Sequence, residues 1–235
     1  MEKDKISKQQ YEALYESFKH FNKRLFNNEL PGCFLSFSRG RKRRTAGFFK
    51  EKTWLANSLD KKDSLHEISI SPDHIGNDLR DVMSTLVHEM VHLWQVEFGK
   101  PSRNGYHNKE WAKKMILVGL FPSNTGIRGG KTTGPSMSHY VLEGKAFDKA
   151  FNTLPGHCIL PLVSVDGLTI ESLNEYMKEV VIGDETLEAE EVKAIANATR
   201  RKVKYNCPSC NTNVWGKPSL NVLCGDCQLT LTMSL

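Results

Sequence analysis

No run of 18 apolar residues occurs in the chain, so no membrane-spanning helix is expected. The opening, Met1-Glu2-Lys3-Asp4-Lys5, runs into polar sequence with no apolar segment behind it, which argues against a secretory signal and for a cytoplasmic protein. Cysteine is sparse: six in 235 residues, in a chain read as non-secreted, argue for thiols or metal ligands over a disulfide framework. Repeats and low-complexity tracts are missing, so solenoids and arrays are excluded. Neither sign of charge dominates, since 32 Lys and Arg against 27 Asp and Glu leave +5. That balance is compatible with nucleic acid but does not point to it. What is present is enough apolar sequence, 39%, for a packed core in one large domain, or in one domain plus a small module.

The charge is unevenly placed. Residues 1–53 hold 13 Lys and Arg against 6 Asp and Glu, densest at Arg39-Gly40-Arg41-Lys42-Arg43-Arg44. Residues 171–191 carry eight acids and one Lys, and Arg200–Lys204 turns basic again. Each run reads as a solvated surface or as a binding patch.

Periodicity predicts an amphipathic helix over 7–28, with Ser7 and Gln10 as a capping box and Tyr11, Leu14, Tyr15, Phe18, Phe21 and Leu25 on its apolar stripe. Strands are expected at 33–38 and 45–50, with the basic run as the turn between them, and at 67–71. Helices follow at 78–98 and 108–118, the second ending at Gly119. Residues 122–140 read as a glycine-rich loop, 160–165 as a further strand, and 169–182 and 186–202 as acidic helices.

Residues 85–95 read Thr-Leu-Val-His-Glu-Met-Val-His-Leu-Trp-Gln. His88 and His92, four apart, lie on one helix face, where both imidazoles can grip one metal ion. Glu89 then stands beside the metal, placed to take a proton from water. The apolar neighbours Val87, Val91, Trp94 and Phe98 on one side, and Leu86 and Leu93 on the other, imply burial, and two buried histidines need partners. The metzincin pattern fails, because Gln95 and Phe98 stand where it needs Gly and His. Glu97 faces away. His107, before the next helix, is the preferred third ligand, with Glu110 as the carboxylate alternative.

A second constellation is Cys207-x2-Cys210 and Cys224-x2-Cys227, two knuckles thirteen residues apart. Four thiolates aimed at one point make a closed tetrahedral site with no open position, so its role is structural. A segment of about 30 residues would hardly fold without it. Cys33 and Cys158 read as core residues.

Together these features resemble the SprT family of zinc metallopeptidases, which includes Spartan. The resemblance rests on the first helix, the strands, Thr85–Gln95, Tyr106-His107-Asn108-Lys109-Glu110-Trp111 and the ribbon at 205–227. It departs where the family has Gly after the third His, since here Asn108 follows His107. It implies an α+β zincin-like domain over 1–165, a helical acidic connector over 166–203 and a C-terminal zinc ribbon over 204–235. The resemblance also implies two zinc ions per chain, one on His88, His92 and His107 with Glu89 as catalytic base, and one on the four cysteines. Spartan-type members degrade proteins crosslinked to DNA and are switched on by DNA. The expected partners are therefore protein substrates and single-stranded or non-specific DNA, with nucleoid association when bound and no membrane. Arg41, Lys42, Arg43 and Arg44 are the expected phosphate contacts. Trp215 is read either as a ribbon core residue or as a platform for an unpaired base. His139 or Tyr140, at the end of the glycine-rich stretch, can fold over the metal and steady a developing oxyanion. The rival reading is a non-catalytic, nucleic-acid-binding or transcription-related adaptor with structural zinc sites; Glu89 separates the two, because a structural site needs no such carboxylate.

Overall fold

The computed structural model describes residues 3–40, 45–55, 64–75, 78–103, 105–162, 203–216 and 220–234. The chain forms two compact units, Met1–Ser164 and Val165–Leu235.

The first unit mixes helix and sheet. Helix α1 (Ile6–Leu25) buries Ala13, Leu14, Ser17, Phe18 and Phe21. Its N-cap is Lys5, with no side-chain cap, so the expected capping box at Ser7 does not form: Ser7 already lies inside the helix. Tyr11 and Tyr15 also depart from expectation, being about half exposed at 48% and 53%. They sit at the margin of a stripe whose centre Leu14, Phe18 and Phe21 occupy. The helix stops at Leu25 because Asn27 and Asn28 take positive φ, and the Asn22 side chain bridges the Leu30 N–H and carbonyl.

Strands β1 (Phe34–Phe37), β2 (Gly47–Leu55) and β3 (Ser64–Ile70) form one sheet in the order β1-β3-β2. β1 runs parallel to β3, and β2 antiparallel to it. The basic run therefore does not turn between neighbours, because β3 lies between the two strands that flank it. Arg41, Lys42, Arg43 and Arg44 themselves lie outside the described residues. β2 continues past residue 50, through a bulge at which Lys52 has φ 44. On one sheet face Leu35, Ile68 and Ile70 enter the core.

Helix α2 (Leu79–Phe98) packs on β2, β3 and α1, with Met83, Leu86, Val87, Met90, Val91 and Leu93 fully buried. Asp78 caps its start by accepting from the Arg80 N–H. Helix α3 (Lys109–Leu117) packs on α2 and is capped in the same way by Asn108, which accepts from the Trp111 N–H. The glycine-rich stretch is not all loop. Its flanks pair as an antiparallel hairpin, β4 (Leu120–Ser123) with β5 (Ser138–Val141). Helix α4 (Ala146–Phe151) adds Phe147 to the core. Residues 160–162 are not a strand; Leu160 is buried, and the Leu162 N–H donates to Gln10 of α1. The rest of that expected strand, and the expected acidic helices over 169–182 and 186–202, lie outside the described residues.

The second unit holds a three-stranded sheet, β6 (Val203–Asn206), β7 (Asn213–Gly216) and β8 (Thr232–Ser234), in the order β7-β6-β8. Among its described residues the buried cluster is Tyr205, Cys207, Cys224 and Leu231. No described helix is long and apolar enough to cross a membrane.

Candidate metal centre

α2 supplies His88 and His92 from successive turns, and the caps described above fix where the next helix starts. His107 reaches them from the segment just before that start. It is held there by a pair of backbone hydrogen bonds with Gly134, 2.8 and 3.1 Å long. The three histidines each offer one ring nitrogen, and those atoms all lie within 4.8 Å of one another. Trp111 of α3 lies against all three rings, at centroid distances of 5.0, 5.4 and 4.3 Å.

The charge state of the set is that of a ligand set. Burial pushes His88 well below its usual pKa, and the neighbouring His139, His92 and His107 push the same way. Burial, then His107, lowers His92 to about 3. Burial lowers His107, partly opposed by its bond to Gly134. Neutral imidazoles are the form that binds metal.

Two observations test the fit to a metal. His107 Nδ1 lies 3.1 Å from the Gly134 carbonyl, which can only accept, so Nδ1 carries the proton and Nε2 the lone pair. That lone pair faces His92 Nε2 at 3.0 Å. In a tetrahedral zinc site with Zn–N near 2.05 Å, two ligand nitrogens stand about 3.3 Å apart. The donor set and its spacing therefore fit zinc. Glu110, the carboxylate alternative, is committed elsewhere: it accepts from the Lys100 N–H at 2.7 Å and from Gln95 at 2.8 Å, closing the turn between α2 and α3. Glu97 faces away as expected and contacts His66 at 3.0 Å.

Glu89 is buried beside the histidines, and burial pushes its carboxyl up to about 8. β2 begins against it. A Cβ built on Gly47 would stand 2.8 Å from Thr85 Cγ2, 3.0 Å from the Ser69 carbonyl and 3.3 Å from Glu89 Cγ. Sequence reasoning missed Gly47, because only the packed sheet brings it to α2. It also missed Ser84, which lies one turn before His88 and bonds to His139 at 2.8 Å; the spacing of four was the available signal. His139 in turn contacts His88 at 3.0 Å. Tyr140, next along β5, instead stacks on Phe121 at 5.2 Å.

In the second unit the sulfurs of Cys207, Cys210, Cys224 and Cys227 also lie within 4.8 Å of one another. Cys210 and Cys224 are 3.7 Å apart, against about 3.8 Å for two thiolates on one tetrahedral zinc. Bonds from Thr212, then from Cys207 and Cys227, hold the Cys210 thiol down to about 6, toward the thiolate that a metal needs. None of the six cysteines is in a disulfide. Cys158 is fully buried and Cys33 packs on the core, where burial pushes its thiol up to about 12. Trp215 is not a core residue: it is 60% exposed on β7, directly opposite exposed Lys204 of β6.

No curated protein matches the chain. Residues 14–128, which hold the first sheet, α2, His107 and α3, match the model of the SprT-like family; that segment is assigned to the SprT-like family, which suggests a metallopeptidase-type domain.

Proposed function

We propose that this protein is a zinc-dependent endopeptidase of the zincin type, stimulated by DNA and acting on DNA-bound or DNA-crosslinked proteins. The catalytic half rests on one observation: a buried carboxylate, Glu89, adjoins three neutral imidazoles whose ring nitrogens converge. His88, His92 and His107 would hold the zinc. Zinc bound there supplies Lewis acidity to a scissile carbonyl and to the attacking water. Glu89 accepts that water's proton on a carboxylate oxygen and passes it to the nitrogen of the leaving amine. Its position, raised toward 8 by burial, suits a group that holds a proton in mid-reaction, and a cation nearby draws it back toward neutral pH.

Among the described residues β2 is paired only with β3, so its other edge can take an extended peptide close to Glu89. The nucleic-acid half rests on the basic bias of residues 1–53 and on exposed Trp215 beside Lys204, an aromatic face with a cation next to it. Arg41, Lys42, Arg43 and Arg44 would add phosphate contacts without sequence preference.

The test is cleavage of a DNA-binding protein by the zinc-loaded chain, with and without single-stranded DNA. Glu89→Gln should keep its zinc by elemental analysis and lose activity by about 10²- to 10⁴-fold. Comparable cleavage by the variant would leave the non-catalytic adaptor as the better reading. Equal cleavage with and without DNA would remove DNA as the activator and leave the peptidase standing.

A further inference from the structure

His139 comes from β5, outside the segment that matches the family model. It closes a line of hydrogen bonds that begins at a metal-facing ring and ends on a backbone carbonyl. His88 Nδ1 lies 3.0 Å from His139 Nδ1, His139 Nε2 lies 2.8 Å from Ser84 Oγ, and Ser84 Oγ lies 2.9 Å from the Asp81 carbonyl. Ser84 is itself buried, in the first turns of α2.

The far end fixes the direction of this line. The Asp81 carbonyl can only accept, so the Ser84 hydroxyl donates to it. Ser84 Oγ then accepts from His139, which puts the His139 proton on Nε2. A neutral imidazole carries one ring proton, so His139 Nδ1 is a lone pair and the proton between the two rings belongs to His88 Nδ1. That leaves the His88 lone pair on Nε2. His107 reaches the same state by a shorter route, through its direct bond to the Gly134 carbonyl.

We infer that His139 and Ser84 are positioning residues, a relay from the Asp81 carbonyl that fixes the tautomer of His88 and presents Nε2 to the metal. This rests on the reading of His88 as a metal ligand. Both ring nitrogens of His139 are used within the relay, so it does not serve as an oxyanion donor. Partners of this kind set a ligand's orientation and basicity, and their loss lowers metal affinity about 10- to 100-fold.

The experiment uses the full chain. Zinc affinity at the histidines is measured by chelator competition, and the His88 ring proton is located by ring-nitrogen NMR before zinc is added there. In the wild type that proton should sit on Nδ1. His139→Phe, which keeps the ring shape and removes both nitrogens, should bind zinc about 10- to 100-fold more weakly and no longer confine the His88 proton. His139→Asn places an amide oxygen where Nδ1 was and should stay within about threefold of wild type. Ser84→Ala removes the anchor without touching either ring, so it reports even if His139→Phe folds poorly; it should leave the His88 proton shared between the two nitrogens. A wild-type proton on Nε2, or unchanged affinity and tautomer in both His139→Phe and Ser84→Ala, would overturn the relay. Peptidase activity is not read at any step. If His88→Ala leaves the zinc content unchanged, the metal reading fails, while the wild-type tautomer still decides whether the relay exists.

Discussion

The two candidate metal-binding groups are built on opposite principles. His88 and His92 sit on α2, and His107 in the segment that leads into α3; the unit that carries them buries a large apolar core, including Met83, Leu86, Met90, Ile68, Phe21 and Trp111. That core holds His88, His92 and His107 in place whether or not an ion joins them. Two of the four cysteines, Cys207 and Cys224, are half of the buried cluster among the described residues of their unit, with Tyr205 and Leu231 the other two members. So small a cluster, with only Val214, Val222 and Cys227 packed against it among the described residues, offers too little apolar burial to offset the entropy of ordering three strands. In the first unit a metal would be added to a fold; in the second it would be part of the fold.

The largest effect that sharpens this contrast is removal of the cysteine site. Cys207→Ser with Cys210→Ser should lower the zinc content from two per chain to one, by elemental analysis. It should also collapse the amide dispersion of residues 203–234 while leaving that of the first unit intact. His92→Ala should likewise cost one zinc, yet leave both sets of amides dispersed. Loss of both zinc ions from either variant would show that the sites depend on each other.

A smaller effect is expected at Gly47. The Ser69 carbonyl and α2 leave no room for a side chain there, so Gly47→Ala must shift β2 or Glu89. The cost is about 1–3 kcal/mol of stability, with a fall in kcat and little loss of zinc. Full activity in Gly47→Ala would mean that Glu89 does not depend on the strand beside it.

The smallest effect concerns pH. The folded state holds Glu89 protonated up to about 8, whereas the unfolded chain ionises it near 4.5. Between those values the native state binds the extra proton, so this group's contribution to stability is present at low pH and is lost as pH rises toward 8. Glu89→Gln should therefore raise the melting temperature of the metal-free chain at pH 8 by several degrees and change it little at pH 4.5. The histidines act in the other direction. His92 and His139, lowered to about 3 and about 4, withdraw stability as pH falls below the ordinary histidine range. A melting temperature of Glu89→Gln that follows the wild type at every pH would remove the case for a strongly shifted Glu89.

The elements that local chemistry governs were legible in the sequence. Asp78 and Asn108 are caps, and α2 and α3 start where those residues say. The spacing of His88 and His92, and of the two cysteine pairs, survives into space because a helix turn and a knuckle are short-range geometry. The strand order was not legible: β1 beside β3 is a pairing across some thirty residues, and nothing local distinguishes it from a β1–β2 hairpin. Tyr11 and Tyr15 failed for a related reason, since periodicity finds an apolar stripe but not how much of it the neighbours cover. The relay through Ser84 needed β5 laid against α2, a contact between residues 51 or more apart.

The bridge between His107 and Gly134 divides the glycine-rich stretch for anyone who wishes to modify it. Beyond the bridge is a tip, closed by the Asn124 N–H to the Lys131 carbonyl and by the Lys131 N–H to the Asn124 side chain, with Ile127 68% exposed at its end. A fluorophore or inserted epitope there would extend into solvent. Between the bridge and β5 the chain has no such tolerance. Residues alternate sides along a strand, so deleting a single residue between Gly134 and Ser138 would turn His139 outward and bring Tyr140 to face His88. The stem is a spacer of fixed length, and its residue count sets which side chain meets His88.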